Sequence, residues 1–458
     1  MIKVSVIMPC LNMERYIAAS IESVINQTLK DIEIIIVDAG STDNTLNIIK
    51  NYMAKDNRIK LIHSEKKSYG YQMNIAIRMA QGEYIGIVET DDYIEFDMYE
   101  SLYGEISGTN AEYIKGKGIA FFDQKNLNYQ RELIACVDWD TKNKVIINPK
   151  TYPWLFMSDN FIWNGIYRRE YLKKFPFNET PGAAFQDIGV LFQVISNANK
   201  AIYLDKISYY YRQGDLLASS YNHKSLNYTY YEYATLEKLI YNLNYGWKYI
   251  YYRKIAGITL DRFYFMAFEK VFWTESNDSI DWLQKKLRYA VDNKILSKAN
   301  FSADQWEELI IFLKEGAQAL FRYCQSEFQK RENITMKTVD NFKDHEWIIF
   351  GSGIFGRGLN CIFQMVNIKV KVFCDNSSKK QGTFINGLKV VSPIEAINKY
   401  PNAHIMITSK FYRNNIKNQL LKLGVPGERI FAKDISEEIF TNFFTLLGLY
   451  RNNLIGNR

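Results

Sequence analysis

Two adjacent carboxylates and a third just before them form the strongest chemical feature of this sequence, at Glu89-Thr90-Asp91-Asp92. Acidic side chains this close repel each other unless a cation neutralises them. Carboxylate oxygens in a loop suit Mn²⁺ or Mg²⁺, and such an ion could bridge a diphosphate and neutralise the charge that builds as it departs. The alternative is an ordinary acidic turn, because acidic residues are common where strands end.

The elements that must position this loop alternate between strand and helix. Four apolar runs indicate buried strands: Val4 to Met8, Ile32 to Val37, Ile59 to His63 and Tyr84 to Val88. Stretches with helical periodicity separate them, which predicts a parallel-type sheet covered on both faces. Ligands of such sheets bind beyond the carboxyl ends of the strands. The polar segments after the four strands should therefore converge on one crevice.

Asp38 ends the second of these strands and begins a turn that continues through Gly40 to Asp43. Its carboxylate can accept a hydrogen bond from a base imide N–H or a ribose hydroxyl. Ser41 and Thr42 suit the N-cap of the next helix. Capping and ligand binding are compatible, so we expect Ser41 or Thr42 to cap and Asp38 to bind.

A second glycine-rich loop lies far along the chain. Gly351-x-Gly353-x-x-Gly356 follows a predicted strand and opens a helix, and Asp375 ends the next strand. Spacing and context match a dinucleotide-binding fingerprint. The surrounding unit has no room for a second mononucleotide half and no Tyr-x-x-x-Lys pair.

Composition and charge narrow the classes of partner. The net charge of +7 over 458 residues would attract a pyrophosphate or an anionic membrane surface. No Lys/Arg-rich arm suggests nucleic acid. The five cysteines show no CxxC spacing, which predicts reduced thiols in a cytoplasm. We see no signal peptide and no apolar run long enough to span a membrane, and Ile439 to Tyr450 could only lie on a surface.

The order of motifs in residues 1–100 resembles the family 2 glycosyltransferases, and the likeness continues more weakly to about residue 220. The motifs are Pro9-Cys-Leu-Asn12, Val37-Asp-Ala-Gly-Ser-Thr-Asp43, Gly70 with Asn74, Gly82-Glu-Tyr-Ile85 and the acidic loop. The resemblance implies an α/β chain with a glycosyltransferase A-type, Rossmann-like mixed sheet and a nucleoside-diphosphate sugar as donor. A helical segment and a small C-terminal Rossmann-like βαβ domain follow.

The family pattern assigns roles to residues of the first half. Residues that border the nucleotide sugar are Pro9, Asn12, Asp38, Gly40, Gly70, Asn74, Glu89, Thr90 and Asp92, with Asp38 reading the base. Asp91 is the implied metal ligand, and Asp92 would orient the loop or the donor sugar. The sequence departs from the pattern twice: Ala39 replaces the second carboxylate of Asp-Asp-Gly-Ser, and Glu89 replaces the first Asp of the DxD motif.

The resemblance places the catalytic base in the second half. An inverting displacement needs a carboxylate that takes the proton of the acceptor hydroxyl. Phe185 to Phe192 resembles the family's Glu-Asp motif at a helix start, with Gln186 in place of Glu, so we expect Asp187 to be the base. An acid at this position also suits the helix dipole, and this alternative does not exclude catalysis.

Two further segments resemble family elements near the donor. Trp163-Asn164 resembles a Trp-Asn segment, and Trp163 could stack on a sugar ring or pack in the core. Tyr211-Arg212 with Ser219-Ser220 resembles a Tyr-Arg…Ser element. Arg212 could pair with the diphosphate or form a surface salt bridge.

The C-terminal glycine loop resembles small Rossmann-like modules attached to bacterial glycan-assembly enzymes, including some sugar acetyltransferases. This likeness implies a second nucleotide site at Gly351, Gly353, Gly356 and Asp375, or a structural or docking role. Both remain open at this point.

We therefore expect an inverting, Mn²⁺- or Mg²⁺-dependent transferase that moves a hexose or N-acetylhexosamine from a UDP-sugar to a glycan or lipid-linked glycan acceptor. It would act in bacterial surface-polysaccharide assembly, in the cytoplasm or at the inner face of the membrane. The rivals are a nicotinamide-dependent redox enzyme and a non-catalytic scaffold. Predicted domains are 1–225 (halves 1–100 and 101–225), a helical linker domain 226–340, a Rossmann-like domain 341–433 and a tail 434–458.

Overall fold

The computed structural model describes residues 1–122, 130–133, 144–159, 161–213, 225–270, 272, 277–385, 387–409 and 412–431. The described residues fall into two compact units. The first comprises Met1–Ala120, Glu132–Phe263 and Trp273–Leu320, and the second comprises Phe121–Arg131, Tyr264–Phe272 and the chain from Phe321 onward. The predicted tail and the serines at 219 and 220 lie outside the described residues. The domain limits given above stay a prediction.

The first unit begins with the predicted parallel strands. They are β1 (Val4–Cys10), β2 (Ile32–Asp38), β3 (Ile59–His63) and β4 (Tyr84–Ile87), in the order β3-β2-β1-β4. Every residue of β1 and β2 is buried, as expected for strands covered on both faces. The intervening helices α1 (Ile17–Ile25), α2 (Thr45–Met53) and α3 (Tyr69–Met79) also confirm the sequence pattern.

An antiparallel half extends this sheet beyond β4. Its strands are β5 (Tyr93–Ile94), β6 (Tyr113–Phe122), β7 (Gln130–Leu133), β8 (Lys144–Ile147), β9 (Gly165–Arg168) and β10 (Ala201–Gln213). The sheet order continues β4-β9-β6-β10-β5, which makes it the mixed sheet expected from the family pattern. Of these strands only β6 shows a strand pattern in the sequence, which predicts a strand from Lys115 to Phe122. The others are short or carry mixed polar and aromatic residues without a clear period.

Register in the antiparallel half brings distant residues to the acidic loop. Strand β9 runs antiparallel to β4, so the residues just before Gly165 lie beside the end of β4. Strand β10 pairs antiparallel with β5 through Tyr209 and Tyr210, so the end of β10 passes the loop that precedes β5. Helices α4 (Met98–Ile106), α5 (Leu155–Ser158), α6 (Arg169–Leu172) and α7 (Gln186–Asn197) pack around this half.

The stretch predicted to be helical is helical in the described residues. It contains α8 (Ser225–Ile240), α9 (Tyr245–Glu269), α10 (Asn277–Asp292), α11 (Ala303–Glu315) and α12 (Ala317–Lys343). Within the described part of the chain, no helix has the length and apolarity needed to cross a bilayer.

The second unit contains a sheet whose core strands were predicted. Its strands are β11 (Trp347–Phe350), β12 (Val370–Cys374), β13 (Phe384–Ile385), β14 (Leu388–Val391), β15 (His404–Ile407) and β16 (Ile430–Phe431), in the order β13-β14-β12-β11-β15-β16. Its helices are α13 (Ile354–Met365), α14 (Pro393–Lys399) and α15 (Arg413–Lys422). All pairings but that of β13 are parallel, and apolar clusters cover both faces. The sequence also predicts a strand from His404 to Thr408, which corresponds to β15, whereas β13, β14 and β16 were not predicted.

Two glycines of the first unit should respond oppositely to substitution by alanine. A Cβ on Gly82 would lie 2.6 Å from the backbone nitrogen of Ser5, whereas a Cβ on Gly104, inside α4, meets nothing within 4 Å. We expect Gly82→Ala to lower the free energy of unfolding by about 1–3 kcal/mol through overpacking. Gly104→Ala should raise it by about 0.5–1 kcal/mol because alanine is the better helix former. Urea denaturation of both variants tests this, and equal shifts would contradict it.

Candidate active site

The acidic loop after β4 is fastened to the end of β1 and to α1. Thr90 Oγ1 donates to the carbonyl oxygen of Pro9 at 2.9 Å, and Ser20 Oγ donates to that of Glu89 at 3.3 Å. The Asp92 amide donates to the Glu89 carbonyl at 3.0 Å and closes the turn. These bonds bring the loop to the carboxyl ends of the parallel strands, as predicted.

Asp92 connects this loop to the far end of β10. Its Oδ2 accepts from the Tyr209 hydroxyl at 2.8 Å, and its Oδ1 accepts from the Arg212 amide at 2.6 Å. The Tyr209 hydroxyl also accepts from the Glu89 amide, and Arg212 Nε donates to the Asp91 carbonyl. Asp92 is 2% exposed, whereas Asp91 is partly exposed. Asp92 therefore shapes the loop, and Asp91 offers the more accessible carboxylate.

The loop concentrates three acidic side chains at the end of β4. Burial, with smaller contributions from the charges of Asp91 and Asp187, raises the pKa of Glu89 to about 8 against the lowering effect of the Tyr69 hydroxyl. Burial, followed by the charge of Asp91, raises the pKa of Asp92 well above its usual range. A bound cation relieves this kind of crowding.

The donor set suits a hard divalent cation only in part. Carboxylate oxygens are the right ligands, but among the described residues no three His, Cys, Asp or Glu side chains are grouped to hold a metal. Mg²⁺ commonly takes one or two carboxylates from the protein and the rest of its shell from substrate phosphates and water. Asp91 fits such a shared site.

The turn after β2 is held by its own side chains. The Asp38 carboxylate, 1% exposed, accepts from the amides of Gly40 at 2.9 Å and Ser41 at 3.1 Å. Asn12, in the left-handed region at φ 54°, accepts from the Thr42 amide, and its own amide donates to Ser41 Oγ. The ends of β1 and β2 are thus tied together, and the role of Asp38 towards a base stays a prediction.

The expected N-cap of α2 was wrong. The helix begins at Thr45, and its cap residue Asn44 makes no capping bond through its side chain. The Asp43 carboxylate accepts from the Thr45 amide at 3.0 Å instead. Ser41 and Thr42 are used in the turn with Asn12, so neither is available to cap the helix.

The hydrogen bonds of Gln186 explain why this chain has Gln where the family motif has Glu. Its Oε1 accepts from the Gly70 amide at 2.8 Å, and its Nε2 donates to the Thr180 carbonyl at 2.8 Å. A carboxylate could not donate the second bond. A Cβ on Gly70 would lie 1.9 Å from the Asn178 carbonyl oxygen, so only glycine permits this approach.

Asn74 holds the same segment from α3. Its Nδ2 donates to the Phe177 carbonyl at 2.9 Å and to Glu179, and its Oδ1 accepts from the Phe177 amide. Asn74 is buried, so in this structure it positions the loop before α7. Its predicted place beside the ribose stays a prediction.

Asp187 lies in the first turn of α7, after Phe185 in the left-handed region at φ 69°. Burial raises the pKa of Asp187 to about 6, against the lowering influence of the backbone amides of Asp187 and Ile188 and of the Lys115 charge. Its charge also acts on Glu89. The structure therefore brings the expected base and the acidic loop into one site.

A buried ion pair behind Asp187 was not found in the sequence. Lys115 Nζ donates to the Asp159 carboxylate and to the Phe161 carbonyl, and the Tyr203 hydroxyl donates to Asp159 Oδ2 at 2.7 Å. Lys115 is fully buried. A lysine within a strand usually points to solvent, so no local signal identified it.

Glu232 of α8 is a second residue that the sequence did not reveal. Its Oε2 lies 2.5 Å from where a Gly189 Cβ would be, and its Oε1 has no hydrogen-bond partner among the described residues. Burial raises the pKa of Glu232 to about 8, and the charge of Asp187 adds to this while Asn178 lowers it. The helical segment therefore contributes a carboxyl group near the base.

The Trp163 ring is buried in an aromatic stack. Its ring lies 4.0 Å from that of Tyr209 and 5.2 Å from that of Tyr211, and it is 4% exposed. Of the two predicted roles, the structure favours core packing. Asn164 Nδ2 donates to the Gly116 carbonyl, while its buried Oδ1 lacks a partner among the described residues.

The C-terminal glycine loop lines a cavity of about 630 Å³ in the second unit. Gly351 has φ 109°, and a Cβ on Gly356 would lie 1.8 Å from the Gly351 carbonyl oxygen. The fold itself therefore requires glycine at both positions, without any ligand. A Cβ on Gly353 meets nothing within 4 Å. The space beside Gly353 is therefore open to a ligand.

Asp375 lines this cavity, but other residues occupy much of its carboxylate. Oδ2 accepts from the Ser352 amide at 3.0 Å and hydroxyl at 2.6 Å and from Lys380 Nζ at 3.2 Å. Oδ1 accepts from the Ser377 amide at 2.9 Å. The carboxylate thus holds the glycine loop, and only Oδ1 has spare capacity for a ribose hydroxyl.

A pair of tyrosine-to-phenylalanine variants tests whether Asp92 depends on β10. Tyr209→Phe removes a donor from the buried Asp92 carboxylate, so we expect the free energy of unfolding to fall by about 1–3 kcal/mol. Tyr99→Phe is the matched control, because that buried hydroxyl has no partner among the described residues. Its removal should leave stability unchanged or higher in urea denaturation. Equal losses in both variants would contradict the assignment.

Comparison with known proteins agrees with this geometry. Residues 5–175 match the profile described as Glycosyl transferase family 2, and residues 343–431 match one described as C2185-like, N-terminal. The glycosyltransferase GlyG of Streptococcus pneumoniae is 32% identical over 217 residues, 46% of this chain and 70% of GlyG. The uncharacterized glycosyltransferase EpsJ of Bacillus subtilis is 30% identical, over 46% of this chain and 61% of EpsJ.

A solved structure shares the fold. The crystal structure of S. aureus TarS residues 1–349 in complex with UDP-GlcNAc matches with a TM-score of 0.53 and 20% identity, over 72% of this chain and 92% of that chain. The sequence similarity to GlyG and the family profile decide the classification. The chain belongs to glycosyl transferase family 2 and is a glycosyltransferase.

Proposed function

We propose that this enzyme transfers a hexose or N-acetylhexosamine from a UDP-sugar to a hydroxyl acceptor, with inversion and with the help of Mn²⁺ or Mg²⁺. The acceptor is a glycan or lipid-linked glycan of a bacterial surface polysaccharide. One observation carries the proposal: the start of α3 joins the acidic loop to the segment of Asp187. The Tyr69 hydroxyl donates to Glu89 Oε1 at 2.8 Å, and the Gly70 amide donates to Gln186 Oε1 at 2.8 Å. That site offers an accessible acid for a cation and a separate acid for a proton.

The acidic loop would hold the donor diphosphate. Asp91 is the proposed ligand of a divalent cation, and Glu89 lies close enough for its charge to interact with that of Asp91. A cation bound there would neutralise the charge that builds on the departing diphosphate. The Tyr209 and Arg212 contacts to Asp92 hold the loop in place for this purpose.

Asp187 would act as the base. The acceptor oxygen forms a bond to the anomeric carbon while the bond from that carbon to the diphosphate oxygen breaks, and Asp187 takes the hydroxyl proton. A pKa of about 6 leaves most of Asp187 ionised at neutral pH yet able to accept a proton. The buried Lys115 favours the ionised form through its charge.

Two observations favour UDP as the nucleotide. The TarS structure, which shares the fold, was solved in complex with UDP-GlcNAc. The turn at Asp38 lies where the family pattern expects a base to be read. The identity of the sugar stays open, so the first experiment is a thermal-shift panel of UDP-, GDP- and dTDP-sugars with and without Mn²⁺. Stabilisation that grows with ligand concentration only for UDP-sugars would support the proposal.

Variants of the two acids separate the proposed roles. Asp187→Asn should lower transfer by about 10²- to 10⁴-fold, because the proton loses its acceptor, while donor binding in the thermal-shift assay persists. Asp91→Asn should abolish transfer and also the Mn²⁺-dependent part of donor stabilisation. Both should fold normally.

Asp31→Asn is the matched control, since that exposed carboxylate pairs with Lys3 at the surface. It should retain full activity. Near-normal turnover of Asp187→Asn would show that another group is the base.

We also propose that the cavity beside Gly353 binds a nucleotide or nucleotide sugar. The loop precedes α13, whose N-terminal amides favour phosphate, and Lys380 lines the same cavity. The small size of the unit and its lack of a Tyr-x-x-x-Lys pair disfavour the rival nicotinamide-dependent redox enzyme.

Filling the open space tests this second site. In an Asp91→Asn background, which weakens the first site, UDP-GlcNAc or NADH should still bind saturably by calorimetry. Adding Gly353→Val should reduce that binding at least about tenfold, because the side chain takes the ligand's place. Equal binding with and without Gly353→Val would exclude the cavity. NADH binding coupled to turnover would revive the redox alternative.

A further inference from the structure

The loop before α5 and the first turn of α9 meet at the surface of the first unit. A Cβ on Gly246 would lie 3.0 Å from Pro153 Cγ, which places the start of α9 directly against this loop. The rings of Trp154 and Tyr249 are 5.4 Å apart. The two segments therefore form one continuous surface.

Large aromatic side chains project from this surface. Trp154 is 54% exposed, Tyr245 is 62% exposed and Tyr152 is 38% exposed. A tryptophan this exposed is costly in water, and amphipathic rings of this kind are enriched where a protein meets a membrane interface. Their clustering at one place is what requires an explanation, since single exposed apolar residues are ordinary.

Three lysines belong to the same part of the surface through main-chain contacts or helix spacing, and both segments lack acids. The Tyr245 hydroxyl donates to the Lys294 carbonyl, and Trp247 Nε1 donates to the Lys150 carbonyl. Lys248 lies three residues after Tyr245 on α9 and so shares its face. Residues 144–158 and 238–260 contain no Asp or Glu. We call the following residues the aromatic–basic patch: Lys150, Tyr152, Trp154, Tyr245, Lys248 and Lys294.

The lysines of the patch have no carboxylate partner in the part of the chain that the structure describes. In the described part of the chain, none of Lys150, Lys248 and Lys294 forms an ion pair with a carboxylate. Their ammonium groups are available to an external anion. Exposed rings flanked by such groups fit a surface that is apolar beneath and anionic at its headgroups.

We infer that the aromatic–basic patch docks this enzyme on an anionic lipid bilayer. The rings enter the headgroup region, and the lysines pair with the lipid phosphates. A neutral glycan is the less suitable occupant, because recognition of sugar hydroxyls usually employs carboxylates beside the ring, and both segments lack them. The inference rests on the proposed function only in that a lipid-linked acceptor would be met at this surface.

Along the chain, only a few residues separate the patch from the residues that support the candidate site. From Trp154 the chain continues through α5 to Asp159, which pairs with Lys115, and to Phe161, whose ring lies 4.7 Å from that of Trp163. A bilayer contacted at Trp154 would therefore lie beside the segment that supports the base. This arrangement suits an acceptor that is presented from a membrane.

Vesicle co-sedimentation of the full chain tests the inference. The wild type should bind phosphatidylcholine vesicles that contain about 30% phosphatidylglycerol, bind pure phosphatidylcholine far less, and be released by about 0.5 M NaCl. Trp154→Ser/Tyr245→Ser should weaken binding at least about tenfold. Lys150→Gln/Lys248→Gln should weaken it and reduce its dependence on salt. Brominated lipids should quench tryptophan emission in the wild type and quench less in Trp154→Tyr.

Phe384→Ser is the matched control, because that exposed ring lies in the second unit and outside the patch. It should bind like the wild type, and all variants should keep the donor-induced thermal shift. No binding by the wild type, or unchanged binding by both patch variants, would overturn the inference. Retention on dextran sulfate without vesicle binding would assign the patch to an acidic glycan and would also overturn it. If the wild type bound vesicles but showed no transferase activity, the proposed function would be wrong and the inference about the patch would stand.

Discussion

The buried carboxylate of Asp92 is the interaction on which the site depends. It sits at the end of the parallel half of the sheet and accepts hydrogen bonds from Tyr209 and Arg212 at the end of β10. An acid this deeply buried is tolerated only when its oxygens are satisfied. The antiparallel half must therefore close over the loop, and in doing so it leaves Asp91 partly exposed.

A similar constraint holds the other side of the site. Gly70 and Asn74 of α3 bind the segment before α7, and Gln186 joins the two with one acceptor and one donor. Asp187 follows at once in the first turn of α7. Because these bonds are among buried groups, the position of the base relative to the acidic loop is set by packing that is costly to disturb.

Glu89 and Asp187 lie in different electrostatic environments. Burial raises the pKa of both Glu89 and Asp187, but Lys115 supports the ionised form of Asp187, while Asp91 and Asp187 both act against ionisation of Glu89. When the environments of two neighbouring acids give them different pKa values, that difference is a common basis for assigning them separate roles. The crowding that raises the pKa of Glu89 and Asp92 is the basis on which we propose that the acidic loop binds a cation.

The sequence by itself determined the parallel half of the sheet, its helices, the acidic loop and the core of the second unit. These features depend on local patterns: apolar runs, helical periodicity and polar residues at strand ends. It also pointed to Asp187 through the resemblance to a family. The signal for each of these features lies within a short stretch of the chain.

Only the tertiary structure decided how the acids are held. Tyr209 meets Asp92 across more than a hundred residues, Lys115 is buried against Asp159, and Glu232 reaches the base from a helix without any recognisable motif. Antiparallel register and helix packing create these contacts, and neither leaves a periodic trace in the chain. The residue types show what chemistry is available, but long-range pairing decides which of those residues share a site.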